Sequence, residues 1–83
     1  MSYVLRKVTD MPSELHQHWS RLLRARLEEL GLNQSEAARL MGVTEATVSR
    51  WVNGVAPKDE KRAEVARALG MAPHELFPYE VEL

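Results

Sequence analysis

Residues 34–54 read QSEAARLMGVTEATVSRWVNG, and this stretch predicts two short helices separated by a turn. Asn33 and Glu36 have the spacing of a capping box, which predicts that the first of these helices covers residues 34–41. Thr44 is a good N-cap for the next helix, over residues 45–53, and Asn53-Gly54 is a typical helix exit. Because a short turn containing Gly42 lies between them, the pattern indicates a helix-turn-helix.

The flanking sequence adds three more predicted helices. Apolar residues at spacings of three and four predict an amphipathic helix over residues 13–30, with a stripe formed by Leu15, Trp19, Leu22, Leu23, Leu27 and Leu30. Pro57 and the acids that follow it predict a helix over residues 58–69. A final turn over residues 73–77 places Leu76 and Phe77 inward. The prediction is therefore an all-α fold of five helices.

Both ends of the chain fall outside this helical pattern. We interpret residues 1–83 as one domain, with an N-terminal arm (1–10), a helical core (13–77) and an acidic tail (78–83). Residues 3–8 and 79–83 alternate in the manner of short strands. One is basic and the other acidic, so pairing of these ends, within one chain or between two chains, is an open alternative.

Length and composition exclude several classes of protein. The 83 residues suffice for one small domain, and the apolar fraction of 45% is ordinary for a soluble one. The absence of cysteine excludes disulfides and thiol nucleophiles. No apolar run is long enough to cross a membrane, and residues 1–10 lack the features of an export signal. We therefore expect a cytoplasmic protein without a membrane partner.

The charge balance limits how the chain could bind nucleic acid. Eleven basic and twelve acidic residues give a net charge of −1, whereas proteins that bind nucleic acid through bulk electrostatics are usually clearly basic. All the basic groups lie within residues 1–70, and three acids lie within residues 71–83. Any binding to DNA must therefore depend on a few well-placed contacts.

The helix predicted over residues 45–53 has two different faces. At about 100° per residue, Val48, Trp51 and Val52 fall on one side. The opposite side carries Ala46, Ser49, Arg50 and Asn53, with Glu45 at the tip. Many surface helices share this division. However, side chains this short around a single arginine would let the helix approach a groove closely.

The motif resembles the Cro/lambda-repressor (XRE-type) helix-turn-helix family. The matching features are Gln34, Ala38, the Gly42-Val43-Thr44 turn, the β-branched Val48 and the Asn53-Gly54 exit. The similarity continues from about Leu22 to near Phe77. It implies a five-helix lambda-repressor-like domain that binds operator DNA, usually as a homodimer, with the third helix in the major groove. The resemblance also implies a prokaryotic or phage-infected cell, in which the protein would be associated with the nucleoid.

The resemblance also implies roles for individual residues. The base-reading positions would be Glu45, Ala46, Ser49 and Arg50. Arginine can pair with guanine, glutamate with cytosine N4, and alanine with a thymine methyl group. The phosphate contacts would be Gln34, Arg39, Thr44, Thr47, Asn53 and Lys58. In many members an arginine late in the first helix faces a glutamate at the end of the third, but this chain has Leu27 and Val52 there, which changes the core and not the DNA face.

No other constellation predicts catalysis, a metal site or a cofactor. His16 and His18 project about 200° apart on a helix, so they cannot share a metal ion. Trp19 and Trp51 are expected to be core aromatics, with a stacking platform for single strands as the minor alternative. We therefore expect no enzyme activity, no metal and no cofactor.

Two classes of function remain from the sequence. The first is a transcriptional regulator, such as a repressor, that reads duplex DNA, with an antitoxin that binds a protein partner through its termini as a close variant. The second is a helical protein-binding adaptor without DNA affinity, which the net charge of −1 favours. Duplex binding measured across salt concentrations distinguishes them.

Overall fold

The fold is all-helical over the residues that the computed structural model describes, 14–78. Five helices follow in order: α1 (Glu14–Glu29), α2 (Gln34–Met41), α3 (Glu45–Val52), α4 (Asp59–Ala68) and α5 (Pro73–Leu76). The predicted helices are thus confirmed, with ends that agree to about one residue. The alternating terminal segments 3–8 and 79–83 lie outside the described residues.

Helix α1 buries most of its predicted apolar stripe. Trp19, Leu23 and Leu27 are buried, and Leu15 and Leu22 pack against them as half-buried neighbours. Leu30 departs from the prediction, since 41% of its surface is exposed. It lies beyond the last helical residue, in the turn that leads to α2, and the stripe therefore ends at Leu27.

The turn between α2 and α3 is defined by local hydrogen bonds. Asn33 and Glu36 form the predicted capping box at the start of α2. At its end Gly42 has a φ of 74°, a left-handed conformation that favours glycine. The backbone N–H of Val43 donates to the Ala38 carbonyl, and the Thr44 side chain then caps α3. The chain therefore passes from α2 to α3 through a turn of only three residues, 42–44.

A single core lies between the helices. Its fully buried centre consists of Leu23, Val48, Val65, Leu69 and Leu76, which come from α1, α3, α4 with its end, and α5. Helix α2 adds two small residues, Ala37 and Ala38, and packs mainly against α3. Small side chains let the two helix axes approach closely. The predicted core role of both tryptophans is confirmed, because Trp19 and Trp51 are buried.

Helix α4 begins at Asp59, one residue later than predicted and two after Pro57, and its N-cap Lys58 makes no side-chain capping bond. Arg62 ties this helix to α1, since its guanidinium lies 4.6 Å from the centre of the Trp19 ring and its Nε donates to the Pro57 carbonyl. Trp19 also contacts Phe77 edge to face at 5.5 Å. These contacts join α1, the start of α4 and the end of α5.

Candidate nucleic-acid interface

Helix α3 shows the two faces that its sequence predicts. Val48, Trp51 and Val52 are buried in the core. On the other side Glu45, Ala46 and Arg50 are exposed, and Ser49 is half-buried. The structure thus brings all four predicted base-reading residues together on one outward surface, which we call the outer face of α3.

The start of the outer face is organised by two threonines. Thr44 Oγ1 accepts a hydrogen bond from the Thr47 backbone N–H at 3.2 Å, and the two hydroxyl oxygens are 2.9 Å apart. Only one hydroxyl hydrogen can occupy that oxygen–oxygen contact, so the other remains able to donate to a phosphate. Thr44 therefore caps the helix, and one of the two hydroxyl groups can still donate to an anion.

Arg50 lies along its own helix. Its Nη2 donates to Thr47 Oγ1 at 3.4 Å, a weak contact within the outer face. No carboxylate in residues 14–78 forms an ion pair with this guanidinium. Its remaining N–H groups are thus available for an acceptor such as the O6 and N7 pair of guanine.

The other predicted phosphate contacts surround the motif along the chain. Gln34 is exposed at the first position of α2, where free backbone N–H groups and the helix dipole favour an anion. Arg39 and Lys58 are exposed as well. Asn53, the C-cap of α3, donates from Nδ2 to the Ser49 carbonyl at 2.7 Å. Its remaining amide atoms face outward from an exposed position.

Several basic residues in the described part of the chain form no ion pair with a carboxylate. Within residues 14–78, Arg26, Lys61 and Arg62 pair with acids three residues away. The basic residues of this part of the chain without such a pair are Arg21, Arg24, Arg39, Arg50, Lys58 and Arg67. Three of these six were predicted to contact DNA. A nearly neutral chain therefore still presents several uncompensated cations.

Helix α1 holds the C-terminal end of α3 through contacts that the sequence did not predict. Ser20 Oγ donates to the Trp51 carbonyl at 2.5 Å and accepts from the Gly54 backbone N–H at 2.8 Å. Arg24 Nη2 donates to the Val52 carbonyl. Leu27 and Val52 are both buried. They occupy the positions at which many members of the family that this chain resembles have an ion pair. Side-chain bonds to the backbone thus connect the two helices here.

The sequence indicates the face of α1 on which these residues lie, but not which part of the chain they contact. Serine at position 20 borders the apolar stripe of α1, and Arg21 and Arg24 lie on the polar side of the same helix. Helical periodicity identifies the face on which they lie. It does not show that the end of α3 packs beside them, because that contact joins residues about thirty positions apart.

His16 and His18 belong to no group of side chains that could hold a metal ion among the described residues. No cluster of three His, Cys, Asp or Glu side chains occurs in residues 14–78. The ring of His16 instead lies 5.3 Å from that of Trp19. Partial burial, and secondarily the positive charge of Arg62, lower the pKa of His16 below its ordinary value. Within the same residues no helix has the length and hydropathy needed to cross a membrane.

Solved structures similar to this chain come from an enzyme. Crystal structures of HppE, with Fe(II) and substrate and as the apo protein, are 28% identical to this chain and cover 76% of it, with TM-scores of 0.70 and 0.69. The structure of hydroxypropylphosphonic acid epoxidase from S. wedmorenis gives the same identity and a TM-score of 0.69. This chain spans only about one third of their length, since the match covers 37%, 36% and 34% of those chains.

Comparison with protein families identifies the domain itself. No curated protein matches the sequence. A helix-turn-helix family model matches residues 23–76, from within α1 to the end of α5. This segment contains the complete α2–turn–α3 unit and most of the core. The chain belongs to the Cro/lambda-repressor-like (XRE-type) helix-turn-helix family of DNA-binding regulators.

Proposed function

We propose that this protein is a sequence-specific regulator, of the repressor type, that binds duplex DNA with α3 in the major groove. The observation that carries the proposal is the outer face of α3. It is exposed except for the half-buried Ser49, has short side chains around one arginine without an ion pair in residues 14–78, and follows a turn defined by local hydrogen bonds. A helix of this shape fits a major groove about 12 Å wide.

Specific roles follow from the chemistry of the outer face. Arg50 would pair with guanine, Glu45 would accept from cytosine N4, and Ala46 would pack on a thymine methyl group. Ser49 would bond to a base edge. Phosphates on either side of the groove would be bound by Gln34, Arg39, Thr44, Thr47, Asn53 and Lys58, which fix the register without reading sequence.

The low net charge supports binding as a homodimer. A single copy presents few cations, so its electrostatic attraction to DNA is small. Two copies that occupy half-sites about one duplex turn (~34–36 Å) apart would double those contacts and would favour a palindromic operator.

Selection of bound sequences from a random duplex pool tests this proposal. The expected result is an enriched palindrome with half-site centres about 10 base pairs apart. Binding of that site should weaken as salt rises, because bound phosphates release counterions. A pool that shows no enrichment, together with no duplex binding at low salt, would contradict the proposal.

The similarity to HppE supports a second candidate, a helical adaptor without DNA affinity. There the same fold occurs within a chain about twice as long that carries iron and substrate in its crystal structures. A domain of this kind could serve a longer polypeptide by contacting protein instead of DNA. Absence of duplex binding at low salt by a correctly folded chain would favour this alternative.

A further inference from the structure

A groove lined mainly by polar residues lies where α1 meets the C-terminal end of α3. Its volume is about 380 Å³, and it is open to solvent. The residues that line it are Gln17, Ser20, Arg21, Arg24, Asn53 and Gly54. The lining thus contains two guanidinium groups and two side-chain amides but no carboxylate.

The electrostatics of the groove favour an anion. Arg21 is exposed and forms no ion pair with any residue between 14 and 78. Arg24 is held in place by its bond to the Val52 carbonyl. The carbonyls at the end of a helix would repel an anion, but here Ser20 and Arg24 donate to two of them and reduce that effect.

The groove lies next to the outer face of α3. Asn53, the C-cap of α3, lines the groove and donates to the carbonyl of Ser49, which belongs to the outer face. In a duplex the phosphates run along the edges of the major groove, beside any helix that lies in it. A ligand that follows the C-terminal end of α3 away from the bases would therefore meet this groove.

We propose that the groove binds a backbone phosphate of the duplex, with Arg21 and Arg24 supplying the charge and Gln17 and Asn53 supplying amide donors. The groove is open to solvent, so a phosphate group can enter it. This inference rests on the proposed function, and it assigns α1, outside the helix-turn-helix itself, a direct share of the DNA affinity.

The test compares two arginine substitutions that remove the same charge. Arg21→Gln changes an exposed groove residue, whereas Arg67→Gln changes an exposed arginine of α4 that does not line the groove. Neither side chain forms an ion pair in residues 14–78, so both variants should fold. Fluorescence polarisation measures their binding to a labelled random-sequence duplex between about 50 and about 200 mM salt.

Loss of one phosphate contact reduces the slope of log affinity against log salt by about 0.9. For Arg21→Gln we therefore expect weaker binding than for the wild type at about 50 mM salt. The ratio of the wild-type affinity to the variant affinity should fall about threefold between about 50 and about 200 mM salt. Arg67→Gln should follow the wild-type slope, and Arg21→Lys should restore it. Arg24→Gln, checked for folding by circular dichroism, should flatten the slope as Arg21→Gln does.

The outcomes separate this inference from the proposed function. Wild-type protein that binds DNA with a slope unchanged by Arg21→Gln would overturn the groove assignment and leave the proposed function intact. Equal slope changes from Arg21→Gln and Arg67→Gln would also overturn it, because they would reflect net charge alone. Failure of the wild-type protein to bind any duplex would overturn both.

Discussion

The two faces of α3 belong to the same eight residues but make different kinds of contact. The inner face, formed by Val48, Trp51 and Val52, is buried and contacts residues distant in sequence. Among residues 14–78, the outer-face side chains form a hydrogen bond only within α3, from Arg50 to Thr47. Stability and DNA sequence preference should therefore be separable within one helix.

The largest expected effect comes from the inner face. Trp51→Ala should lower the free energy of unfolding by about 3–5 kcal/mol, since a buried aromatic leaves a cavity when it is truncated. Small domains have total stabilities of only about 5–15 kcal/mol. Chemical denaturation followed by circular dichroism measures the loss. The neighbouring Arg50→Ala is the control and should change stability by about 0.5 kcal/mol or less; comparable losses from both would show that the two faces are not separable.

Substitution on the outer face should affect binding instead. Arg50→Ala should weaken the selected DNA site by about 1–3 kcal/mol and relax the preference at one base pair of each half-site. Lys58→Ala, which removes an exposed cation at the start of α4, should weaken all sequences alike. Polarisation titrations on selected and scrambled duplexes measure both effects. Arg50 would not be a base-reading residue if its substitution weakened both duplexes to the same degree.

Ser20 of α1 forms hydrogen bonds with backbone groups at and just after the end of α3. Ser20→Ala should reduce stability by about 1–3 kcal/mol, because it leaves the Gly54 N–H and the Trp51 carbonyl without their buried partner. Ser35→Ala is the matched control, since Ser35 is a half-buried helical serine without a side-chain hydrogen bond in residues 14–78. Thermal melts of both variants measure the difference. Equal melting temperatures for the two variants would contradict a bracing role for Ser20.

The smallest effect should be a pH dependence centred on His16. Since folding lowers its pKa, the unfolded chain binds a proton more readily than the folded chain. Stability should therefore be retained above the ordinary histidine pKa and fall as the pH drops below it. Denaturation of wild type and His16→Gln between about pH 8 and about pH 5 measures this contribution. A pH dependence of stability that survives unchanged in His16→Gln would have to come from another group.

Prediction from sequence succeeded best where the signal was local. Asn33 with Glu36, and Thr44 ahead of Thr47, set helix starts through hydrogen bonds that span only three residues. The buried side of α3 followed from helical periodicity alone. Leu30 shows the limit of that method, because periodicity placed it in the core while the helix had already ended.

The candidate site was predictable only in part, because sequence patterns indicate contacts within a helix but not contacts between helices. The outer face of α3 could be derived because all its members lie on one short helix, and the family resemblance added roles that remain proposals. Arg21 and Arg24 did not enter the prediction, since nothing near them in sequence shows that they lie beside Asn53 and Gly54.

The sequence by itself determined the five helices, the turn between α2 and α3, and the division of α3 into two faces, because capping and periodicity act over a few residues. Only the tertiary structure decided how α3 is held and what lies beside its end. Ser20 and Arg24 bond to backbone groups 28 to 34 residues away, and such contacts exist only after the helices have packed. The position of the groove next to the outer face is likewise a property of the packed core.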